Sequence, residues 1–140
     1  MGTIVVGIDG SECSEHALRF AISEARIRGT DVRAVIAWSV PYYEFPLPVE
    51  DVRGGAQAVL DRSIERVLAE QTEPVPSIQR STVQGQAAFV LIGESMSAEL
   101  LVVGSRGHGA VAALLLGSTS NQCAHHAGCP IAIVRGAAIS

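Results

Sequence analysis

Apolar positions along this chain switch between a strand-like and a helix-like spacing. Residues 3–8 form a run of branched apolar side chains that stops at Asp9-Gly10-Ser11, as a buried strand does. Leu18, Ala21, Ile22 and Ala25 then recur on one helical face, with Glu15, Arg19 and Arg26 on others. Ser11 or Ser14 can cap that helix, and Gly29 can end it. A second strand is predicted over residues 32–38. A second helix begins near Ala56, with Leu60, Ile64, Val67 and Leu68 at core spacing and Arg62, Glu65, Arg66 and Glu70 as a solvated face. Pro74 and Pro76 stop it.

The rest of the chain continues the alternation. Residues 77–83 read as a weaker edge strand with polar residues interleaved, and residues 87–96 as a helix with Val90 and Leu91 inward. Residues 100–103, Leu-Leu-Val-Val, form a fully apolar strand that stops at Gly104. A helix is predicted over residues 118–127, and a last strand from Pro130 to Arg135. Five strands separated by four helices dictate an α/β fold: a doubly wound parallel sheet with helices on both faces and right-handed crossovers. Residues 1–140 read as a single domain. Two strand orders satisfy the pattern, 3-2-1-4-5 and 2-1-3-4-5.

Composition narrows the class. Hydrophobic residues make up 48% and charged residues 17%, which suits a folded core and not a disordered chain. A net charge of −4 disfavours nucleic acid as a partner. All ten basic residues are arginine, so a Walker-type phosphate loop with its lysine is excluded. The longest uninterrupted apolar stretch near the glycines, residues 110–116, is far too short to span a membrane. The N-terminus runs directly into a strand pattern without a basic region, and Cys13, Cys123 and Cys129 lack scaffold spacing. These features predict a cytoplasmic protein with reduced thiols.

Candidate chemistry gathers at two strand ends. After the apolar strand come Gly104, Gly107 and Gly109, then a second break at Gly117-Ser118-Thr119-Ser120 that opens a helix. Glycines admit positive φ and let an anion approach with no Cβ in the way. A helix N-terminus offers unpaired N–H groups and a positive dipole end, and Ser118 and Thr119 add hydroxyl donors. Arg106 and His108 lie within the loop, where each either reaches outer phosphates or simply faces solvent. Asp9 either starts a turn or holds ribose hydroxyls or a phosphate-bound metal.

The spacing Gly104, two residues, Gly107, nine residues, Gly117-Ser118 resembles the ATP-binding signature of the universal stress protein family, and the likeness extends over nearly the whole chain. The resemblance implies the order 3-2-1-4-5 and a nucleotide held between the loops after strands 1 and 4. It implies contacts from Gly7, Ile8 and Asp9 at the first loop, with Mg²⁺ accompanying ATP beside Asp9. It places the backbone of Ala37 at the adenine and Gly107, Gly117, Ser118 and Thr119 at the phosphates, with Val103, Gly104 and Ser120 also among the nucleotide-binding residues. It also implies a homodimer paired through the last strand, and a regulatory protein of the stress response with slow or no hydrolysis. A slow ATPase and a cyclic-AMP binder of the same fold are the alternatives. The wider group's pyrophosphatases carry SGGxDS after strand 1, where this chain has Gly7-Ile8-Asp9-Gly10-Ser11.

Two further clusters have plainer readings. Trp38, Tyr42, Tyr43 and Phe45 are four of the chain's six aromatic residues and border the same crevice, where they either stack on a base or form a lid, or, more plainly, cover the core or a subunit contact. Cys123, His125, His126 and Cys129 lack a recurrent metal-ligand spacing and read as residues at a helix end.

Overall fold

The computed structural model describes residues 2–40, 49–107 and 116–136. Its strands are β1 (Thr3–Gly7), β2 (Asp31–Trp38), β3 (Ile78–Gln84), β4 (Leu100–Gly104) and β5 (Ile131–Val134). Its helices are α1 (Glu12–Arg28), α2 (Val49–Leu68), α3 (Ala87–Ser95) and α4 (Ser118–His126). The strands form one parallel sheet in the order β3-β2-β1-β4-β5, the first of the two orders above.

Side chains alternate across this sheet, and each face builds its own core. Ile4 and Val6 of β1, Val32, Ala34 and Ile36 of β2, and Leu100 and Val102 of β4 face α1 and α2. There they meet Leu18, Ile22, Leu60, Ile64 and Val67, all fully buried. Val5, Val35, Leu101 and Val103 point the other way, towards Leu91 of α3 and Cys123 of α4. Each fully buried aliphatic side chain contributes about 1.5–3 kcal/mol relative to exposure. This two-sided burial is why the central strands read as continuous apolar runs.

Local signals set most of the ends. Ser11 caps α1: its side chain accepts the Ser14 N–H at 3.1 Å, so of the two serines considered the earlier one does the capping. Gly29 closes the helix at φ 70°, a left-handed conformation that glycine adopts without a Cβ penalty.

Helix α2 departs from expectation at both ends. It starts at Val49 instead of near Ala56 and stops at Leu68, before either proline is reached. Glu50 and Asp51 sit in its first turn, favourably placed against the helix dipole. Gly54 and Gly55 lie within the helix, with open space where a β-carbon would stand. The charged face assigned to this segment, Arg62, Glu65, Arg66 and Glu70, is exposed as expected, and two of its charges also reach α1. Arg66 Nη1 donates to Glu15 Oε2 at 2.6 Å, and Glu70 accepts two bonds from Arg19 at 2.7 and 2.8 Å. Glu15 is therefore buried, not on an outer face.

Candidate functional site

Strand order reverses between β1 and β4: from β1 the chain winds towards β3, and from β4 towards β5. Ligand crevices in open parallel sheets form at such a point, beyond the carboxyl ends of the strands. A cleft of about 340 Å³ lies there. That is within the usual size range of small-molecule pockets.

The first loop is held by a closed set of short hydrogen bonds. Asp9 N–H donates to Ser14 Oγ at 3.3 Å, and Ser14 Oγ donates to Ser11 O at 2.9 Å. Ser11 N–H donates to Asp9 Oδ1 at 2.9 Å, an Asx turn that fixes the carboxylate relative to the start of α1. Gly10 between them has φ 84°, the left-handed region.

The second loop is pinned to the sheet. Ser105 N–H donates to Val134 O at 2.7 Å, and Gly117 N–H donates to Ser105 O at 2.6 Å. Ser120 Oγ donates to Ser105 O at 3.0 Å and to Gly117 O at 3.1 Å. Gly117 is the N-cap of α4, and no side chain caps the helix. The amides of its first turn thus open beside the cleft, lined there by Ser118, Thr119 and Ser120.

The loop glycines work differently from the expectation of positive φ. Among the described residues positive φ occurs only at Gly10, Gly29 and Gly85. Gly104, Gly107 and Gly117 instead provide closeness. A β-carbon on Gly104 would stand 2.8 Å from Cys13 Cβ, so this glycine lets α1 pack on β4. One on Gly107 would overlap Asp9 Oδ2. One on Gly117, whose backbone is extended at φ −70°, would meet Arg106 Cα at 3.4 Å.

Of the residues singled out from sequence, Gly7, Ile8, Asp9, Ala37, Val103 and Gly104 all line this one cleft. So do Arg106, Gly107, Gly117, Ser118, Thr119 and Ser120. His108, together with Tyr42, Tyr43 and Phe45 of the aromatic cluster, lies outside the described residues. Sequence reasoning missed Ser14, Val35, Ala87 and Leu91, which complete the lining. Val35 and Leu91 looked like core, which they also are; Ala87, a small residue opening α3 beyond a strand end, was the available signal. The cleft is thus apolar towards β2 and α3, and polar towards α4.

Cys123 is wholly buried, and desolvation pushes its thiol up to about 11. Among the described residues no group of three His, Cys, Asp or Glu side chains is placed to hold a metal ion. No described helix is long and apolar enough to cross a membrane.

Fold and cleft define the class: a doubly wound α/β protein with its crevice at the β1–β4 switch point and an uncapped helix N-terminus on one wall. Residues 1–135 match the universal stress protein family, and the chain belongs to that family. A universal stress protein of Mycobacterium tuberculosis is 40% identical over 135 residues, covering 94% of this chain and 45% of that protein. The chain therefore spans about half the length of that relative. Among solved structures, the universal stress protein UspA from Lactobacillus plantarum superposes with a TM-score of 0.77 at 18% identity, covering 96% of this chain and 97% of that one. A universal stress protein in complex with cAMP superposes with a TM-score of 0.70 at 26% identity, covering 96% of each chain.

Proposed function

We propose that this chain is a regulatory protein of the stress response that holds ATP in the cleft between the β1 and β4 loops and hydrolyses it slowly or not at all. The observation that carries this reading is the division of the cleft. Val35, Ala37, Ala87 and Leu91 offer an apolar wall suited to a base, while the uncapped start of α4 and the loop at Gly107 offer N–H groups to phosphates. The cAMP bound by the neighbour at 26% identity supports an adenine nucleotide as the class of ligand.

Arg106 is the one permanent cation and Asp9 the one carboxylate among the described lining residues. They supply charge neutralisation and a metal ligand, which is binding chemistry more than the water-positioning chemistry of rapid hydrolysis. Mg²⁺ fits this set, because it is commonly held by one or two carboxylates together with phosphate oxygens. Asp9 would hold it, and the ion would supply further charge neutralisation at the phosphates.

The proposal extends to a cytoplasmic homodimer of one domain over residues 1–140. The edge strand β5 supports it, since its four residues are all apolar and only half-buried, and an open apolar edge is normally paired or protected.

Calorimetric titration with ATP, with and without Mg²⁺, and with cyclic AMP tests the central reading. ATP with Mg²⁺ is expected to bind about tenfold or more tightly than cyclic AMP, because only a triphosphate uses the whole of the α4 and Gly107 wall. Equal affinity for the two would favour the second reading, a cyclic-AMP binder, which rests on the same neighbour. Binding of neither would overturn both.

A further inference from the structure

One contact between a strand and a helix sets the depth of the cleft at its apolar wall. Gly7 ends β1, two residues beyond Val5 and on the same face of the sheet, the face that turns to Leu91 of α3. A β-carbon on Gly7 would stand 2.7 Å from Leu91 Cδ1 and 3.3 Å from Cδ2. Gly7 is not among the residues with positive φ, so what the glycine supplies is the missing side chain and not a special conformation. Leu91 is thus seated on bare backbone. Resting on the reading that the apolar wall receives a base, we infer that Leu91, held back by its seat on Gly7, fixes how large a base the cleft admits.

Three observations carry this. Leu91 and Ala87 stand four residues apart on one face of α3, and both line the cleft. Ala87 offers a single methyl group, so Leu91 is the bulkiest group that α3 presents there. Its remaining surroundings leave it no room to retreat, because Val5, Val35, Leu101 and Val103 of the same cluster are all buried, and such cores are close-packed. A side chain pushed off Gly7 therefore moves towards the open space of the cleft. Finally, Val35, Ala37, Ala87 and Leu91 carry no polar side-chain atom. Side chains on this wall select by size, and in an apolar pocket one methylene group is worth about tenfold or more in discrimination. Leu91 is the group that meets the base; Gly7 is a positioning residue that acts through it.

The test is titration calorimetry on the full chain with Mg²⁺ and ATP, and with three analogues enlarged at different edges of the base: N6-benzyl-ATP, 2-methylthio-ATP and 8-bromo-ATP. Gly7→Ala is expected to lower ATP affinity about tenfold or more, by driving Leu91 into the cleft. Gly7→Ala combined with Leu91→Ala is expected to bind ATP more tightly than Gly7→Ala alone, because the displaced side chain is gone. Leu91→Ala alone is expected to improve at least one analogue about tenfold or more relative to ATP, a change of preference that a purely structural role would not produce. Unchanged ATP affinity in Gly7→Ala, no recovery in the double variant, or an unchanged preference in Leu91→Ala overturns the inference. If Gly7→Ala does not fold, the preference of Leu91→Ala decides alone. Failure of the natural sequence to bind ATP strikes instead the reading on which the inference rests.

Discussion

The carboxylate of Asp9 lies so close to Gly107 that a β-carbon on the glycine would occupy the position of Oδ2. Two loops distant in sequence, one after β1 and one after β4, are thereby packed directly on each other. Gly107→Ala should force Asp9 or the loop to move. Nucleotide affinity is expected to fall about tenfold or more with the fold intact, measured by titration calorimetry beside a thermal melt. Unchanged affinity would show that the contact can relax without consequence for the site.

Asp9→Asn keeps the size of the side chain and the acceptor for the Ser11 N–H, but removes the charge. Binding of ATP should weaken mainly in the presence of Mg²⁺, since a neutral amide is a poor ligand for a hard cation. An equal loss with and without Mg²⁺ would remove Asp9 from metal binding.

Gly117 separates folding from binding. Its extended backbone is open to any residue, and a β-carbon there meets its neighbours at ordinary distances of 3.4–3.6 Å. Gly117→Ala should therefore fold with a stability change within about 0.5 kcal/mol. Gly117→Val adds branches over the Arg106–Gly107 backbone and should abolish nucleotide binding. Full affinity in the valine variant would make this loop purely structural.

Burial protects one of the three thiols. Cys123 is inaccessible and its thiol is pushed up to about 11 by desolvation, so little reactive thiolate exists near neutral pH. Alkylation at pH 8 should label Cys13, which is half-buried, and spare Cys123 until the protein is denatured. Mass spectrometry of the labelled peptides reads this directly; early labelling of Cys123 would mean that α4 opens locally.

Glu15 and Arg66 tie α1 to α2 through a hydrogen bond of 2.6 Å. Arg66→Ala leaves a buried carboxylate with Ser63 as its remaining partner. It should cost roughly 1–3 kcal/mol, below the cost of breaking a fully buried pair, because Arg66 is itself half exposed and Ser63 stays as a partner. Chemical denaturation of the variant measures it, and a cost near zero would mean that water replaces the guanidinium freely.

Strand and helix order was legible because the central strands are buried on both faces. Runs such as residues 100–103 carry that burial openly, and the switch point then placed both special loops together. What escaped was anything set by partners remote in sequence. Glu15 stands off the apolar face that periodicity picks out, and its burial is made tolerable by Ser63 and Arg66, 48 and 51 residues later. The start of α2 was hidden because Gly54 and Gly55, poor helix formers, lie just before the regular apolar spacing that begins near Ala56. They are accommodated within the helix because the packing of Leu60, Ile64 and Val67 outweighs about 1 kcal/mol of lost propensity at each glycine. Of the two reasons given for the glycines after β4, positive φ does not hold at Gly104 or Gly107, where closeness to Cys13 and Asp9 forbids a β-carbon. Val35 and Leu91 escaped because a residue that is both core and cleft wall looks like core alone.

The most direct measurement is made on the protein as purified, with no nucleotide added. The chain is denatured and removed, and any small molecule released is identified by mass and quantified per chain. ATP or ADP near one per chain is the predicted result. Nothing released, followed by no thermal shift with millimolar ATP and Mg²⁺, would contradict the account, leaving a cleft with the shape of a nucleotide site and no nucleotide to hold.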